Sequence, residues 1–342
     1  MQRTEISTYG EFGLIKHLTE KFKIENSSTL KGVGDDAAVL SFETKKVLIT
    51  TDLLLEGIHF DLVYVPLMHL GYKAAIVNFS DIYAMNGTPT QITVSIGVSK
   101  RFSVEDLEQL YAGIEMACKK YGVDLVGGDT SASLTGLTIS ITCIGQADEN
   151  KIVYRNTAKE NDLICVTGNL GSAYMGLQLL EREKVVFAAN DQAQPDFENR
   201  DYILQRQLKP EARKDIIEML AEKGVIPNSM IDISDGLSSE LIHICTQSNV
   251  GCRIYEDKIP INIQAVIMAE ELNMSIVTAA LNGGEDYELL FTAALEDYDK
   301  ILTMDGVAIV GHTTKSEYGL QLVGREGEEL ELRAQGWNSL DE

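Results

Sequence analysis

The chain has 342 residues, 44% of them hydrophobic, and 52 acidic against 29 basic side chains give it a net charge of −23. At about 100 to 200 residues per domain, this length is typical of two domains that each bury a core. A chain with so few basic side chains lacks the Lys and Arg surface that binds DNA, RNA or an anionic membrane, so we expect none of these partners. The acid surplus favours cationic partners instead, and metal ions are the first candidates.

The five cysteines are scattered along the chain and form no CxxC pair. We interpret them as buried and reduced, as is usual in a cytosolic protein. No apolar run reaches the roughly 18 residues of a membrane span, and the first 22 residues contain no long apolar core. We therefore expect a cytoplasmic protein.

The first half of the chain alternates helix and strand patterns, which is typical of mixed α/β layers. The clearest helix begins at Ser103, because Asp106 completes a capping box with it and apolar residues then recur at helical spacing. The predicted helices cover residues 11–22, about 70–85 and 103–121, and the predicted strands cover 38–41, 47–51, 91–98, 123–126 and 137–145.

The stretch 148–162 is polar and has no periodicity, so we place a domain boundary there and predict domains at 1–148 and 149–342. Beyond it, a strand at 163–167 leads through a glycine-rich turn into a helix. Further predictions are a helix starting near Pro210, a strand at 230–233, a helix at 237–247, and an irregular or helical excursion at 183–207.

The two halves share a weak echo. Ser80-Asp81 is followed by Gly127-Gly128-Asp129, and Ser234-Asp235 is followed at similar spacing by Gly283-Gly284-Glu285. The chain has 28 glycines and 52 acidic residues, so both chance and a duplicated unit remain open explanations.

Several acidic residues occupy apolar segments or strand ends, where surface carboxylates are rare. Asp52 is predicted at the end of an apolar strand, Asp81 inside an apolar helix, and Asp129 after a strand and two glycines. The remaining acids of this kind are Asp35 and Asp36 between glycine turns and a strand, and Asp232 and Asp235 at a strand-to-helix corner.

Grouped carboxylates require cations, because two of them 4 Å apart repel by about 4 kcal/mol at an effective dielectric constant of 20. Asp side chains together with the hydroxyl or carbonyl oxygens of Thr50 and Thr51 form an oxygen-rich ligand set that suits Mg²⁺. Turn formation by Asp35 and Asp36 and helix capping by Asp235 are the alternative interpretations.

The usual phosphate-binding and zinc-binding motifs are absent from the sequence. It contains no GxxxxGK[ST] loop and no HExxH, and the five histidines are dispersed. If the protein binds phosphates, metal ions held by carboxylates must neutralise them.

Seven strings in this order resemble the thiamine-monophosphate kinase family, within the superfamily of aminoimidazole ribonucleotide synthetase. The resemblance covers residues 10 to about 337 and is specific because all seven strings occur in register. The strings are GVGDDAAVL, TTDLLLEGIHF, GYKAAIVNFSDIYAMNG, LVGGDT, VYRNTAKENDLICVTGNLGSA, IDISDGLSSELIHI and LNGGEDYELLFT.

The resemblance implies a two-domain α/β (α+β) fold of the synthetase type. Its N-terminal mixed sheet would form a barrel across a homodimer, its C-terminal domain would be an α/β sandwich, and the active site would lie between domains and across the dimer. The implied N-terminal domain binds ATP and magnesium and dimerises, and the C-terminal domain completes the nucleotide and substrate site. The implied reaction is ATP-dependent, Mg²⁺-assisted in-line phosphorylation of thiamine monophosphate to thiamine diphosphate, the last step of thiamine diphosphate biosynthesis.

The resemblance also implies roles for individual residues. The implied metal ligands are Asp36, Thr50, Thr51, Asp52, Asp81, Asp129, Asp232 and Asp235. The implied nucleotide contacts are Gly128, Asp129, Arg155 and Ser234, and the implied thiamine contacts are His59, Glu285 and Trp337. No side chain is expected to act as an acid or base, since the acceptor phosphate is largely anionic near pH 7 and Arg155 and the metal ions would neutralise charge.

Plainer roles remain open for four of these residues: a structural histidine at position 59, a linker cation at Arg155, a turn residue at Glu285, and a tail anchor at Trp337. The chain departs from the family at the end, where Asn338-Ser339-Leu340 follow Trp337, and at QLKPEAR, residues 207–213, which leaves the role of Arg213 open. Two other functions also remain: a ligase or synthetase of the same superfamily, and an acidic cation-binding protein without turnover.

Overall fold

A computed structural model describes residues 4, 10–31, 39–42, 44–189 and 195–334. The chain divides into two compact units, Met1–Asn150 and Lys151–Glu342. All five cysteines are buried and free, as predicted. Among the described residues, no helix combines the length and the apolar character that crossing a membrane requires.

The first unit consists of a mixed four-stranded sheet with helices on one face, and a separate two-stranded ribbon. The sheet order is β3-β6-β4-β5, with β4 and β5 parallel and the other pairs antiparallel. Its elements are α1 Gly10–Thr19, β1 Thr29–Lys31, β2 Val39–Leu40, β3 Lys46–Leu55, α2 Leu67–Ala84, β4 Thr88–Val98, α3 Val104–Tyr121, β5 Asp124–Ala132 and β6 Leu137–Ala147.

Periodicity explains how this unit packs. Side chains of β6 alternate strictly between buried and half-buried, so one face of the sheet lies under the helices. Helix α3 begins at the predicted capping box, in which Ser103 accepts from the Asp106 backbone and Asp106 accepts from that of Ser103. Helices α2 and α3 approach closely, because a Cβ at Gly71 would lie 2.0 Å from the Leu110 oxygen and one at Gly113 would lie 1.9 Å from the Met68 oxygen.

The second unit is built on a seven-stranded sheet of order β13-β12-β9-β11-β7-β10-β8. Neighbouring strands of this sheet are antiparallel, except that β9 and β12 are parallel. Its elements are β7 Leu163–Thr167, α4 Ser172–Ala189, α5 Asp201–Leu208, α6 Lys214–Lys223, β8 Ser229–Asp232, α7 Leu237–Ser248, β9 Val250–Tyr255, α8 Ile263–Glu271, α9 Ile276–Asn282, β10 Leu289–Ala293, α10 Tyr298–Ile301, β11 Val307–Lys315, β12 Leu320–Val323 and β13 Glu329–Glu331.

Two apolar clusters form the core of this unit. The larger one joins the sheet to α7 and includes Val166, Ile231, Leu241 and Leu290, all buried. A smaller one lies among α4, α5, α8 and α9. Together with the first unit, this arrangement confirms the mixed α/β class.

Several predicted boundaries are wrong, and three of them lie near candidate site residues. Strand β3 continues past Thr51, so Asp52 lies within a strand and not at its end. Strand β5 continues through Gly127 and Gly128, so Asp129 lies within it too. The helix expected near Pro210 begins at Lys214, after a short loop that follows α5. The described part of 183–207 is helical where α4 ends and again in α5.

Candidate active site

Strand β3 presents two of the predicted ligands on one face. Successive strand residues point to opposite faces, and burial along β3 follows this rule: Leu48 and Leu54 are buried, and Thr50 and Asp52 between them are half-buried. Thr51 is exposed on the opposite face, where its hydroxyl donates to the Ile141 oxygen at 3.1 Å. The sheet therefore groups the side chains of Thr50 and Asp52 and separates that of Thr51 from them.

Helix α2 brings a second carboxylate to this face. The Thr50 hydroxyl donates to Asp81 Oδ2 at 2.5 Å. One turn earlier, the fully buried Asn78 donates through its Nδ2 to the Ala74 oxygen at 3.1 Å. Asp81, which was predicted in an apolar helix, is half-buried within α2 beside the sheet.

The Asp52 carboxyl lies in an unfavourable environment. Burial, and secondarily repulsion from Asp81, raise its pKa from 3.8 to about 7. Its Oδ2 atom is buried and has no hydrogen-bond partner among the described residues. A bound cation would relieve both the repulsion and the unmet hydrogen-bonding capacity, so the pair Asp52–Asp81 has the donor chemistry of a divalent-cation site.

This pair alone is not a complete protein-made metal cage. Among the described residues, no three side chains of His, Cys, Asp or Glu are grouped so that they could hold a metal ion. In proteins, Mg²⁺ usually takes one or two carboxylates and completes its shell with water and substrate phosphates.

Asp129 and Gly128 lie on β5, at the edge of the first sheet. Asp129 is exposed, and its carboxylate accepts from the Thr130 backbone at 2.9 Å. A Cβ at Gly128 would lie 1.9 Å from the Val94 oxygen of β4, so only glycine fits between the paired strands there. This close approach explains the second glycine of the GGD string.

His59 lies just beyond β3 and is half-buried. Its Nδ1 accepts from the Leu55 backbone N–H at 3.1 Å. Because Nδ1 is an acceptor, a neutral imidazole at this position carries its proton on Nε2, which is then a donor. A structural role for this histidine is therefore present alongside the predicted contact with thiamine.

In the second unit, β8 ends at Asp232, the first residue of the string DISDG. Asp232 is buried, whereas Ser234 and Asp235 are exposed. Asp235 was open to interpretation as a helix cap, but α7 begins after Gly236 without a side-chain cap. Although Asp235 is partly exposed, desolvation by surrounding protein atoms raises the pKa of its carboxyl, and nearby His243 partly offsets this.

Glu240 on α7 orders this corner and was not singled out from the sequence. Its buried carboxylate accepts from the backbone N–H of Asp235 at 2.8 Å and of Ser234 at 3.2 Å. Burial is the largest cause that raises its pKa to about 7, and repulsion from Asp235 adds to it. Only the SSEL spacing, which places Glu240 in the first turn of the helix, could have suggested this contact.

The GGEDYE loop, residues 283–288, runs beside this corner. Glu285 donates its backbone N–H to the Ser234 oxygen at 2.7 Å, and Tyr287 donates its own to the Ile233 oxygen at 2.9 Å. Glu285 and Tyr287 have left-handed backbone conformations, with φ of 58° and 50°, which cost about 1 kcal/mol or more each for such residues. Glu285 is therefore a turn residue, and its side chain is half-buried.

Arg155 is exposed in the second unit. Its backbone oxygen accepts from the hydroxyl of Ser229 at 3.0 Å and from that of Ser248 at 3.4 Å. The backbone is thus fixed by β8 and α7, while the guanidinium faces solvent. Asp36 and Trp337 lie outside the described residues.

Comparison with known protein families first identifies the class of protein. Residues 34–147 match the family model described as AIR synthase related protein, N-terminal domain. This segment covers the four-stranded sheet and both helices that pack on it. The fold and the acid pair thus occur in a segment related to AIR synthase.

Relatives that match nearly the whole chain identify the family within this class. The thiamine-monophosphate kinase of Aquifex aeolicus is 34% identical over 88% of this chain and 91% of its own length. A crystal structure of thiamine-monophosphate kinase from Stenotrophomonas maltophilia superimposes with a TM-score of 0.80 at 28% identity, covering 94% of this chain and 98% of that one. AaThiL complexed with AMPPCP and TMP gives a TM-score of 0.73 at 30% identity, covering 98% and 99%. This chain belongs to the thiamine-monophosphate kinase family.

Proposed function

We propose that this protein transfers the γ-phosphoryl group of ATP to thiamine monophosphate, giving thiamine diphosphate and ADP as the last step of thiamine diphosphate biosynthesis. Membership of the kinase family over nearly the whole chain carries this proposal. The neighbouring AaThiL structure, complexed with AMPPCP and TMP, supports ATP and thiamine monophosphate as the two substrates.

The proposed step is direct. An anionic oxygen of the acceptor phosphate forms a bond to the γ-phosphorus, and the bond from that phosphorus to the β,γ-bridging oxygen breaks in line, so ADP leaves with the bond electrons. Since the second pKa of a phosphate monoester is about 6, the attacking oxygen needs no general base near pH 7. The protein's task is to bring two polyanions together in the correct orientation.

Mg²⁺ is the proposed metal, and it neutralises charge on the phosphates when bound. Asp52 and Asp81 are the strongest candidates to hold it, because the Asp52 carboxyl is buried, repelled by Asp81 and lacks a partner for Oδ2 among the described residues. The further proposed ligands are Asp36, Thr50, Asp129, Asp232 and Asp235, and Thr51 through its backbone oxygen, because its side chain lies on the opposite face of β3.

Substrate contacts are proposed from both units. Exposed Arg155 can place a bidentate guanidinium on a phosphate, with Gly128, Asp129 and Ser234 completing the nucleotide contacts. His59, Glu285 and Trp337 are proposed to contact thiamine. A tryptophan over a cationic ring contributes roughly 0.5 to 2 kcal/mol, which suits the thiazolium. The N-terminal domain would bind ATP and magnesium, and the C-terminal domain would complete the site.

A cytoplasmic homodimer is the proposed form of the enzyme. Strand β3 lies at an edge of its sheet, and the face opposite α2 exposes three apolar side chains: Val47, Ile49 and Leu53. Ile49 is 69% exposed. A second copy of the chain would cover this apolar face, and light scattering should then give twice the mass of one chain.

The reaction is tested by incubating the full chain with ATP, MgCl₂ and thiamine monophosphate and measuring thiamine diphosphate and ADP by chromatography. Equal amounts of both products are expected, and omission of MgCl₂ should abolish them. ATP turnover with a different acceptor would favour the synthetase, and no turnover with any acceptor would leave a cation-binding protein. Either result would overturn the kinase proposal.

A further inference from the structure

The GGEDYE loop needs contacts with other segments of the chain to keep its backbone conformation. Glu285 and Tyr287 adopt left-handed backbone conformations that non-glycine residues avoid. Their backbone hydrogen bonds to Ser234 and Ile233 fix one side of the loop. The other side carries two buried acids, Asp286 and Glu288, whose charges need partners.

Residues 206–213, which comprise the end of α5 and the loop that leads to α6, provide those partners. Arg206 places Nη1 2.8 Å from Glu288 Oε1 and donates through Nη2 to the Asp286 backbone oxygen at 2.9 Å. Arg213 donates to the other oxygen of the same Glu288 carboxylate. The two guanidiniums are 12% and 13% exposed, so the carboxylate of Glu288 is enclosed between two largely buried cations.

The surroundings of Glu288 leave no free space. The Thr167 hydroxyl donates to Glu288 Oε2 at 2.5 Å and accepts from the Leu289 backbone at 2.8 Å. A Cβ at Gly168 would lie 2.0 Å from Glu288 Oε1. The position of the loop end is therefore set by β7 and by residues 206–213 together, which gives Arg213 a definite role.

Gln207 extends this arrangement to the side chain of Glu285. The Gln207 amide is buried and donates from Nε2 to Glu285 Oε2 at 2.7 Å. The bond fixes the direction of a half-buried carboxylate that follows two glycines. A carboxylate oriented before binding loses less conformational entropy when it accepts a hydrogen bond from a ligand.

We propose that Gln207 is a positioning residue for the acceptor substrate, acting through Glu285, and that Arg206 and Arg213 fix the loop on which Glu285 lies. This inference rests on the proposed function, because Glu285 is there proposed to contact thiamine. Gln207 itself makes no contact with the reacting atoms in this proposal.

The test compares Gln207→Met with Gln205→Met in the full chain. Both changes replace a glutamine on α5 by a residue of similar length, but Gln205 is exposed. For Gln207→Met we expect the KM for thiamine monophosphate to rise about tenfold, the loss typical of a hydrogen bond to a charged group, with kcat and the KM for ATP within twofold of wild type. Gln205→Met should match wild type in all three constants. An unchanged KM for thiamine monophosphate, or an equal rise in both KM values, would overturn the proposal.

A double-mutant cycle shows whether Gln207 acts through Glu285. The Kd for thiamine monophosphate is measured by calorimetry for Gln207→Met, Glu285→Ala and the double variant. The double variant should bind no more weakly than Glu285→Ala alone. If Gln207→Met weakens binding by the same factor in both backgrounds, Gln207 does not act through Glu285.

Amide hydrogen exchange, followed by mass spectrometry without ligand, separates this inference from the proposed reaction. Peptides that span 283–288 should exchange faster in Gln207→Met than in wild type or Gln205→Met, because the loop loses one of its supports. Unchanged exchange would overturn the positioning role whatever the enzyme phosphorylates. A wild-type protein that makes no thiamine diphosphate would instead refute the proposed function.

Discussion

Asp52 of the first unit and Glu288 of the second differ in how their charges are compensated. In the first unit, Asp52 faces a second acid, Asp81, and no cationic side chain of the described chain offsets its charge. In the second unit, the Glu288 carboxylate lies between Arg206 and Arg213. Asp52 lacks a compensating partner among the described residues, whereas Glu288 is neutralised by two arginines. A buried carboxylate therefore indicates a metal site only when the protein has not already paired it.

The largest effect that tests this contrast is expected for Asp52→Asn. Turnover should fall about 10²- to 10³-fold, since the change removes charge from the proposed metal site, a loss of about 3 to 4 kcal/mol in transition-state stabilisation. The free energy of unfolding at pH 8 without divalent cations should instead rise by about 1 kcal/mol, because a repelled and desolvated charge is removed. Steady-state kinetics and urea unfolding give the two values.

Asp148→Asn is the matched control for this experiment. Asp148 pairs with Lys45 at 3.2 Å on the surface, so its loss should change neither turnover nor stability noticeably. Near-normal turnover of Asp52→Asn would show that Asp52 is not a ligand of the proposed metal ion. A loss of stability in that variant would show that its charge is already compensated.

Glu288→Gln should have the next largest effect. It should lower the free energy of unfolding, whereas Asp52→Asn should raise it. Two largely buried guanidiniums would lose their shared carboxylate, and breaking such a pair typically costs 3 to 5 kcal/mol. We expect the free energy of unfolding, measured with urea, to fall by about 3 kcal/mol. Glu331→Gln is its control, since Glu331 pairs with Arg333 at 2.7 Å where both side chains are exposed. Equal effects of the two changes would contradict the internal pairing.

Asp286→Asn should give the smallest effect on the free energy of unfolding. The effect should depend on pH, which tests how fully an arginine compensates a buried acid in the second unit. Asp286 is fully buried, Arg206 Nη2 lies 3.8 Å from its Oδ1, and Gly171 donates to its Oδ2 at 3.0 Å. Burial raises its pKa from 3.8 to about 7, although Arg206 partly offsets this and Glu288 adds to it. Its charge is thus less well compensated than that of Glu288.

The sign of the expected effect follows from the raised pKa. The wild type loses stability relative to Asp286→Asn as the pH rises from about 4 to about 7, because the folded state resists ionisation of Asp286 and the unfolded state does not. Between pH 5 and pH 8 the stability difference should shift by about 2 kcal/mol in favour of the variant. Urea unfolding at both pH values measures it. A difference independent of pH would show that Arg206 neutralises Asp286 fully.

Local patterns predicted much of the first unit. Helix α3 follows from its capping box and apolar spacing, and α2 from the apolar run that contains Asp81. The end of β5 was missed, because Gly127 and Gly128 resemble a turn in the sequence, whereas Gly128 permits close pairing with Val94. Such an approach depends on the neighbouring strand and has no local signal.

Long-range pairing explains what sequence reasoning missed in the second unit. Glu288 and Arg213 are 75 residues apart in sequence, so neither residue indicates the other. The carboxylates of Asp232 and Asp235 were placed correctly at a strand-to-helix corner, yet only the fold shows that Glu240 holds the backbone of that corner. Side-chain pairing between elements has no periodicity to reveal it.

The close approach of helices α2 and α3 at Gly71 and Gly113 also affects the candidate site. Asp81 lies ten residues beyond Gly71 on the same helix, about 15 Å along its axis. A methyl group at Gly71 or Gly113 would have to displace the backbone of the facing helix, and α2 would tilt against β3. The separation of the carboxylates of Asp52 and Asp81 thus depends on how the two helices pack, and a single added carbon far from the acids would change the geometry of the proposed cation site.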